Sequence, residues 1–151
     1  MSGAAVIRPA RPEDRARIAA IVDAAYRPYL ARMDRKPAPM LDDYAKRIAD
    51  GQTFVLEVDA TVTGILVLED HDDCLLLDNI AVDPALHGQG LGRLLITFTE
   101  EEARRRGYAV VELYTNEVMV ENIALYRRLG YVETQRVRDR GYDRVYLRKA
   151  L

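Results

Sequence analysis

Apolar positions along this chain fall into short blocks of two periods, every second residue or every third and fourth, and turn residues separate the blocks. Ala5-Val6-Ile7-Arg8 reads as a first strand. Pro12-Glu13-Asp14 then opens a helix, with acids in its first turn and apolar residues at Ile18, Ile21, Val22 and Ala25 on one face. Arg27 to Met40, rich in Arg, Pro and Met, breaks that pattern, and a second helix covers Leu41 to Ala49 and stops at Gly51. Thr53 to Val58 and Thr61 to Leu68 are β-branched runs joined through Asp59-Ala60, which predicts a hairpin. Asp70 to Asp73 is a turn into a strand over Leu75 to Val82. Leu91, Leu94, Leu95, Phe98 and Ala103 keep helical spacing until Arg106-Gly107. A strand over Val110 to Thr115 and a helix over Val118 to Leu129, capped by Gly130, come next. Val132 to Val137 and Arg144 to Leu147 close the chain as a hairpin around Arg138 to Gly141. The order β-α-α-β-β-β-α-β-α-β-β predicts a mixed α/β sheet with helices on both faces.

Composition narrows the classes. The chain has 151 residues, which predicts one domain over residues 1–151. A net charge of −2 gives no global attraction to nucleic acid or anionic membrane, and neither is expected as a partner. The one cysteine, Cys74, precludes an internal disulfide and sits before Leu75-Leu76-Leu77, where a buried thiol is expected rather than a nucleophile. No apolar run approaches the roughly 20 residues of a membrane span. Arg8 and Arg11 interrupt any hydrophobic signal core, so the expected location is the cytoplasm.

The densest chemical signal lies between strand and helix, in Ala81-Val82-Asp83-Pro84-Ala85-Leu86-His87-Gly88-Gln89-Gly90-Leu91-Gly92-Arg93. Three glycines leave the backbone bare, and a helix start adds the positive end of its dipole, so a phosphate-bearing ligand is expected there. A P-loop needs a Gly-Lys pair followed by Ser or Thr; here Arg93-Leu94 follows Gly92. A dinucleotide fingerprint needs a third glycine where Arg93 stands, and a tight turn where five residues, Asp83 to His87, intervene. The segment resembles instead motif A of the GNAT superfamily of acyl-CoA N-acyltransferases, Arg/Gln-x-x-Gly-x-Gly/Ala, written here as His87-x-x-Gly90-x-Gly92. His87 replaces the usual Arg or Gln. Downstream, Asn122-Ile123-Ala124-Leu125-Tyr126-Arg127-Arg128-Leu129-Gly130-Tyr131 resembles motif B of the same family, an Ala-Leu-Tyr helix ending in Leu-Gly-aromatic. The family's Asn seven residues before that Tyr is Met119 here, with Asn122 or Asn116 as substitutes.

The resemblance implies a mostly antiparallel sheet splayed between its fourth and fifth strands, Leu75–Val82 and Val110–Thr115, with acetyl-CoA as cofactor. It places cofactor contacts at Ile80, Ala81, Val82, His87, Gly88, Gln89, Gly90, Leu91, Gly92, Arg93, Asn122, Tyr126 and Arg128. The implied reaction is acetyl transfer to a primary amine, small or peptidic. Such a transfer needs a deprotonated amine, a donor for the oxyanion and a proton for the leaving thiolate. Tyr126 is the expected acid and a backbone N–H near Ala81-Val82 the expected oxyanion donor. Leu76 and Tyr114 stand where some relatives carry glutamate bases, which leaves Glu69, Asp78, Glu112 or a water held by Asn79 or a backbone carbonyl as alternatives. The acceptor side is expected between Tyr26 and Tyr44 and on the Arg138–Asp143 hairpin, with Tyr26, Tyr29, Arg32, Tyr44, Asn79 and Tyr142 as wall residues and Arg35 as a further cation. Arg104-Arg105-Arg106 has two readings, phosphate contact or complement to a helix C-terminus. Asp70-His71-Asp72-Asp73 lacks the spacing of a metal site, and no metal is expected. A homodimer is compatible with this reading. The alternative function is a CoA-binding sensor that keeps the fold without turnover.

Overall fold

Asp59 and Ala60, with φ of 52° and 64°, turn strand β2 (Thr53–Val58) onto strand β3 (Thr61–Asp70). Two successive positive φ angles give the hairpin loop whose twist matches that of its strands. In the computed structural model, which describes residues 4–151, the predicted hairpin therefore forms on the predicted residues. Its register is broken by one irregularity between Leu56 and Glu57. Strand β1 (Ala5–Pro9) pairs antiparallel with β2, from Ala5–Val58 to Pro9–Phe54. The apolar runs Phe54–Leu56 and Ile65–Leu68 are buried.

Helix α1 (Arg15–Tyr26) buries Ile18, Ile21, Val22 and Tyr26, one stripe of a 3.6-residue period. Pro12–Asp14, expected inside this helix, forms a separate 3₁₀ turn ahead of it. The Arg27–Met40 break holds two further 3₁₀ turns, Arg27–Arg32 and Ala38–Leu41. Helix α2 is shorter than the sequence predicts, Tyr44–Ala49 rather than Leu41–Ala49. The reason is a cap: the Asp43 carboxylate accepts the Lys46 N–H at 3.1 Å, which starts the helix at Tyr44.

Strand β4 (Leu75–Val82), helix α3 (Leu91–Arg105), strand β5 (Val110–Asn116), helix α4 (Val120–Arg128) and strands β6 (Val132–Asp139) and β7 (Tyr142–Ala150) complete the chain. Hydrogen-bonded neighbours run β1-β2-β3-β4-β5-β7-β6 in a mostly antiparallel sheet whose β4–β5 pair is parallel. The α4 helix starts two residues later than predicted, since the Asn116 carboxamide accepts the Val118 N–H at 3.1 Å and holds a turn. The last hairpin is longer than predicted: Arg140 and Gly141, with φ of 51° and 83°, make a two-residue turn. Arg138, Asp139, Tyr142 and Asp143 thereby join the ladder.

The chain divides into two compact units. One comprises the chain up to Leu68 together with Asn79–Phe98, the other Glu69–Asp78 with Thr99–Leu151. In the first, Arg8 donates to Asp14 at 2.8 and 3.0 Å and to Glu57 at 2.8 Å, while the Arg11 N–H donates to Asp14 at 2.7 Å. In the second, the β4–β5 ladder consists of Leu75–Val111, Leu76–Glu112 and Leu77–Leu113, and β7 follows β5 over the latter's whole length.

Asp14 is 7 % exposed, so its charge depends on those partners. The Arg8 guanidinium, against the opposing cost of burial, holds its carboxyl below the usual range. Asp14→Asn should lose about 2–3 kcal/mol at neutral pH. A depressed folded-state pKa stabilises above the unfolded value, near 3.9, and this gain is lost as pH falls through the folded value. The gap between wild type and variant in urea titrations should therefore stay constant from pH 8 to 5 and shrink below about pH 4.

Candidate active site

In the first unit, β4 leaves its last residue and turns at once. The Asp83 N–H donates to the Thr63 carbonyl at 2.8 Å, and the Asp83 carboxylate accepts from the Ala85 N–H at 3.0 Å and from Arg17 at 2.9 Å. The Ala85 amide first, and Arg17 next, hold that carboxyl below its usual range. A 3₁₀ turn over Pro84–Leu86 leads to exposed His87, Gly88, Gln89 and Gly90. The first backbone bond of α3 runs from the Leu94 N–H to the Gly90 carbonyl at 3.1 Å, so the amides of Leu91, Gly92 and Arg93 precede the helical ladder. Gly90 has a φ of +75°, which excludes most side chains. Gly92 differs: its φ lies outside the positive region, and a Cβ there would meet nothing within 4 Å. Among the described residues no neighbour requires glycine at 92, so packing does not account for it. Leu91 and Leu95 anchor the helix inward at 7 % and 0 % exposure, and Leu95 sits where a Cβ on Gly64 would reach it at 3.2 Å. Arg93 is exposed.

The same unit holds a buried polar knot. Asn79, 3 % exposed, accepts from the Tyr26 hydroxyl at 2.7 Å and donates to the Tyr44 hydroxyl at 3.0 Å. Tyr44 in turn donates to the Pro39 carbonyl at 2.6 Å, and the Tyr26 hydroxyl also lies 3.2 Å from the Ile80 carbonyl. Tyr26, Tyr44 and Asn79, expected as acceptor walls, are thus joined to each other in the core. Tyr29 is half-buried, with the exposed Arg32 guanidinium 5.3 Å from its ring centre.

In the second unit, Tyr126 lies in the last turn of α4 and is 5 % exposed. Its ring meets that of Tyr131 edge-on at 6.3 Å, and its carbonyl accepts the Leu129 and Tyr131 N–H groups that end the helix. Tyr131 donates to Glu100 at 2.9 Å, and Lys149 reaches the same carboxylate at 3.1 Å. Met119 is buried and accepts from Thr115 at 3.4 Å. Of its two expected substitutes, Asn116 is committed to the turn before α4, while the half-buried Asn122 points its amide at the Met119 sulfur, 3.9 Å away. Arg128 is exposed.

The acetyltransferase (GNAT) family model matches residues 15–131. The chain belongs to the GNAT family. An uncharacterized N-acetyltransferase of Methanocaldococcus jannaschii is 36% identical over 107 residues, covering 62% of this chain and 44% of that protein. The ribosomal protein bS18-alanine N-acetyltransferase of Escherichia coli is 44% identical over 57 residues, 38% of either chain. The chain therefore spans less than half the length of these curated relatives. Among solved structures, the PaiA N-acetyltransferase of Thermoplasma acidophilum in complex with coenzyme A superposes with a TM-score of 0.81 at 15% identity, over 98% of this chain and 99% of that one. At that identity the likeness speaks for the fold.

Within this GNAT chain the ionisable groups near β4 and β5 are engaged. Glu69 lies 3.2 Å from the His71 ring, and Glu112 lies 3.5 Å from Arg148. Asp78 accepts the Tyr114 hydroxyl at 2.7 Å. Arg105 and Arg106 both donate to Glu102, and Arg106 also reaches Asp70 at 3.1 Å. Arg105 and Arg106 are therefore tied into an ion-pair network at the end of α3, which favours the helix-terminus reading for these two. Asp70 also accepts from Tyr108 at 2.9 Å, and Asp73 from Arg148 at 3.0 Å. Tyr142 is buried, with Arg144 5.9 Å from its ring. Sequence reasoning missed the Tyr114–Asp78 pair. It follows from the parallel register, which no local pattern encodes.

Cys74 is 2 % exposed, and burial first, then the charges of Glu112 and Asp73, push its thiol up. A thiol held protonated is a poor nucleophile. Native protein should react with a disulfide reagent at pH 8 at least about tenfold more slowly than guanidinium-unfolded protein, read at 412 nm. Equal rates would place a thiolate at this position.

Proposed function

We propose that this chain is an acetyl-CoA-dependent N-acetyltransferase that moves the acetyl group to a primary amine by direct transfer. The observation that carries the reading is Gly92, a helical glycine with open space at its Cβ position, in a loop that brings the amides of Gly88 to Arg93 to a helix start. Those groups suit a pyrophosphate, whose charge the helix dipole favours. Family membership and the coenzyme A held by the PaiA structure support the same ligand. His87, Gln89 and Arg93 add exposed polar groups at the loop, the Ile80–Val82 backbone supplies amides and carbonyls, and Asn122 and Arg128 flank Tyr126 in α4.

Bound acetyl-CoA would supply a thioester carbon open to attack by an amine. The chain's own part is to hold that thioester, to offer an N–H at Ala81 or Val82 to the developing oxyanion, and to supply a proton. A phenol is protonated at neutral pH and suited to protonating a leaving thiolate. Tyr126 takes that role because it combines motif position with a buried setting. The amine acceptor is a small molecule or a peptide terminus; the bS18-alanine enzyme among the relatives acts on a protein.

Two variants test the two halves separately. Gly92→Ala should leave the unliganded protein at least as stable as wild type, because the added methyl meets nothing within 4 Å and alanine is the better helix former. The same variant should weaken acetyl-CoA binding in calorimetry about tenfold, since the methyl occupies the approach path. Tyr126→Phe should keep acetyl-CoA affinity within about threefold while thiol release falls about 10²–10⁴-fold. Cofactor binding by wild type without turnover on any amine of a broad panel would favour the sensor reading instead.

A further inference from the structure

Strand β6 ends the strand order and, among the described residues, pairs with β7 alone. Its free edge is long and open: six of its eight residues are exposed, with Val132 at 67 % and Val137 at 37 %. Strand β1, at the other end of the order, has five residues and finishes at Pro9, which has no N–H to offer a neighbour. The β6–β7 register contains one irregularity. Glu133 pairs with Leu147 and Gln135 with Tyr146, so Thr134 has no partner in β7. One extra residue exchanges the two faces of the strand beyond it. Val132, Gln135 and Val137 therefore share the face of Arg148, Tyr146 and Arg144, while Glu133 and Arg136 share that of Leu147 and Val145. In an unbroken strand Val132 and Val137 would lie on opposite faces, and so would Glu133 and Arg136. The bulge thus gives the edge an order that reads alike from both ends, with a valine outermost and opposite charges inside.

We propose that this edge is an interface with a second copy of the chain, β6 against β6 and antiparallel, about a two-fold axis through the bulge. In that register Val132 lies opposite Val137 of the second copy, and Glu133 opposite its Arg136. The two-fold axis makes each pair twice. Paired residues must point to the same face, and these do so only because of the bulge. Moving the axis by one residue in one direction sets Arg136 against Arg136, and in the other Glu133 against Glu133. Like charges directly opposite destabilise a ladder, whereas opposite charges and β-branched pairs stabilise it. Of these three registers, the one centred on the bulge alone gives each of these charges an opposite one. Charged residues on an edge commonly keep other strands away. Here they discriminate, since a strand with another order of charges leaves Glu133 or Arg136 mismatched and a second copy does not. Within one chain Glu133 accepts from Arg127 at 2.7 Å and from Arg136 at 2.9 and 3.1 Å. Across the axis the two glutamates and two arginines then alternate in sign, and no intrachain pair has to be given up. The inference is independent of acetyl transfer.

Sedimentation velocity tests the interface by exchanging its charges. Wild type at about 50 µM should sediment as a dimer. Glu133→Arg sets arginine against Arg136 of the second copy, and Arg136→Glu sets glutamate against its Glu133. Each variant should raise the dimer dissociation constant about tenfold or more. An equimolar mixture of the two variants should dimerise again, with a constant within about threefold of wild type, because every arginine of one then faces a glutamate of the other. Mixing cannot mend a defect inside either chain, so recovery reports the contact itself. Wild type that stays monomeric at that concentration overturns the proposal. Single variants that dimerise like wild type, or a mixture that stays monomeric, overturn it equally. Should either charge variant fail to fold by circular dichroism, Val132→Lys decides, at a position 67 % exposed. A constant raised about tenfold in that variant supports the interface, and an unchanged one overturns it.

Discussion

A buried carboxamide has to be satisfied on both its donor and its acceptor side, and in this protein Asn79 meets that demand with two tyrosines from distant parts of the chain. The cost of leaving either group unpaired is about 1–3 kcal/mol, comparable to a sizeable share of a small domain's stability. Tyr26 ends α1 and Tyr44 begins α2, so both helices and the 3₁₀ turn at Pro39 are tied to one residue of β4. Replacing the carboxamide would remove one hydrogen bond from each of the two helix ends at once. The Arg27–Met40 segment, with little regular structure of its own, owes its course to that knot and to Pro39, whose carbonyl Tyr44 caps.

Directly beyond Asn79 the strand has a different task. Thr63 holds Asp83, Asp83 holds Ala85, and Gly90 supplies the first helical acceptor, so the exit from the strand and the start of α3 are each held by hydrogen bonds of about 3 Å. Among the described residues, nothing stands within 4 Å of the Cβ position of Gly92. Glycine stands at a position where alanine would fit the chain, and under the proposed cofactor site ligand approach accounts for it where packing does not.

Much of this was legible beforehand because the signals are local. The Asp59-Ala60 hairpin, the strand over Leu75–Val82 and the helix after the glycines follow from period and turn chemistry alone. The misjudged boundaries share one cause, side chains or turns that take over a terminus: Asp43 shortens α2, Asn116 delays α4, and Arg140-Gly141 tightens the last hairpin so that both its strands lengthen. Of the expected site, the loop and Tyr126 were visible as motifs. The fate of Tyr26 and Tyr44 was not, because whether a tyrosine lines a pocket or ties a core depends on which strand residue it meets fifty positions away.

The pair of Tyr114 and Asp78 shows the same limit from the other direction. Read along the chain, Tyr114 marks the loss of a carboxylate where relatives place one. Read across the sheet, the parallel register sets a carboxylate opposite it, shifted from one strand to its neighbour. The Tyr114 hydroxyl donates to that carboxylate at 2.7 Å and so takes one of its acceptor positions. Under the proposed acetyl transfer, the return of a proton to the thiolate is the part assigned to Tyr126, while Tyr114 is committed to Asp78.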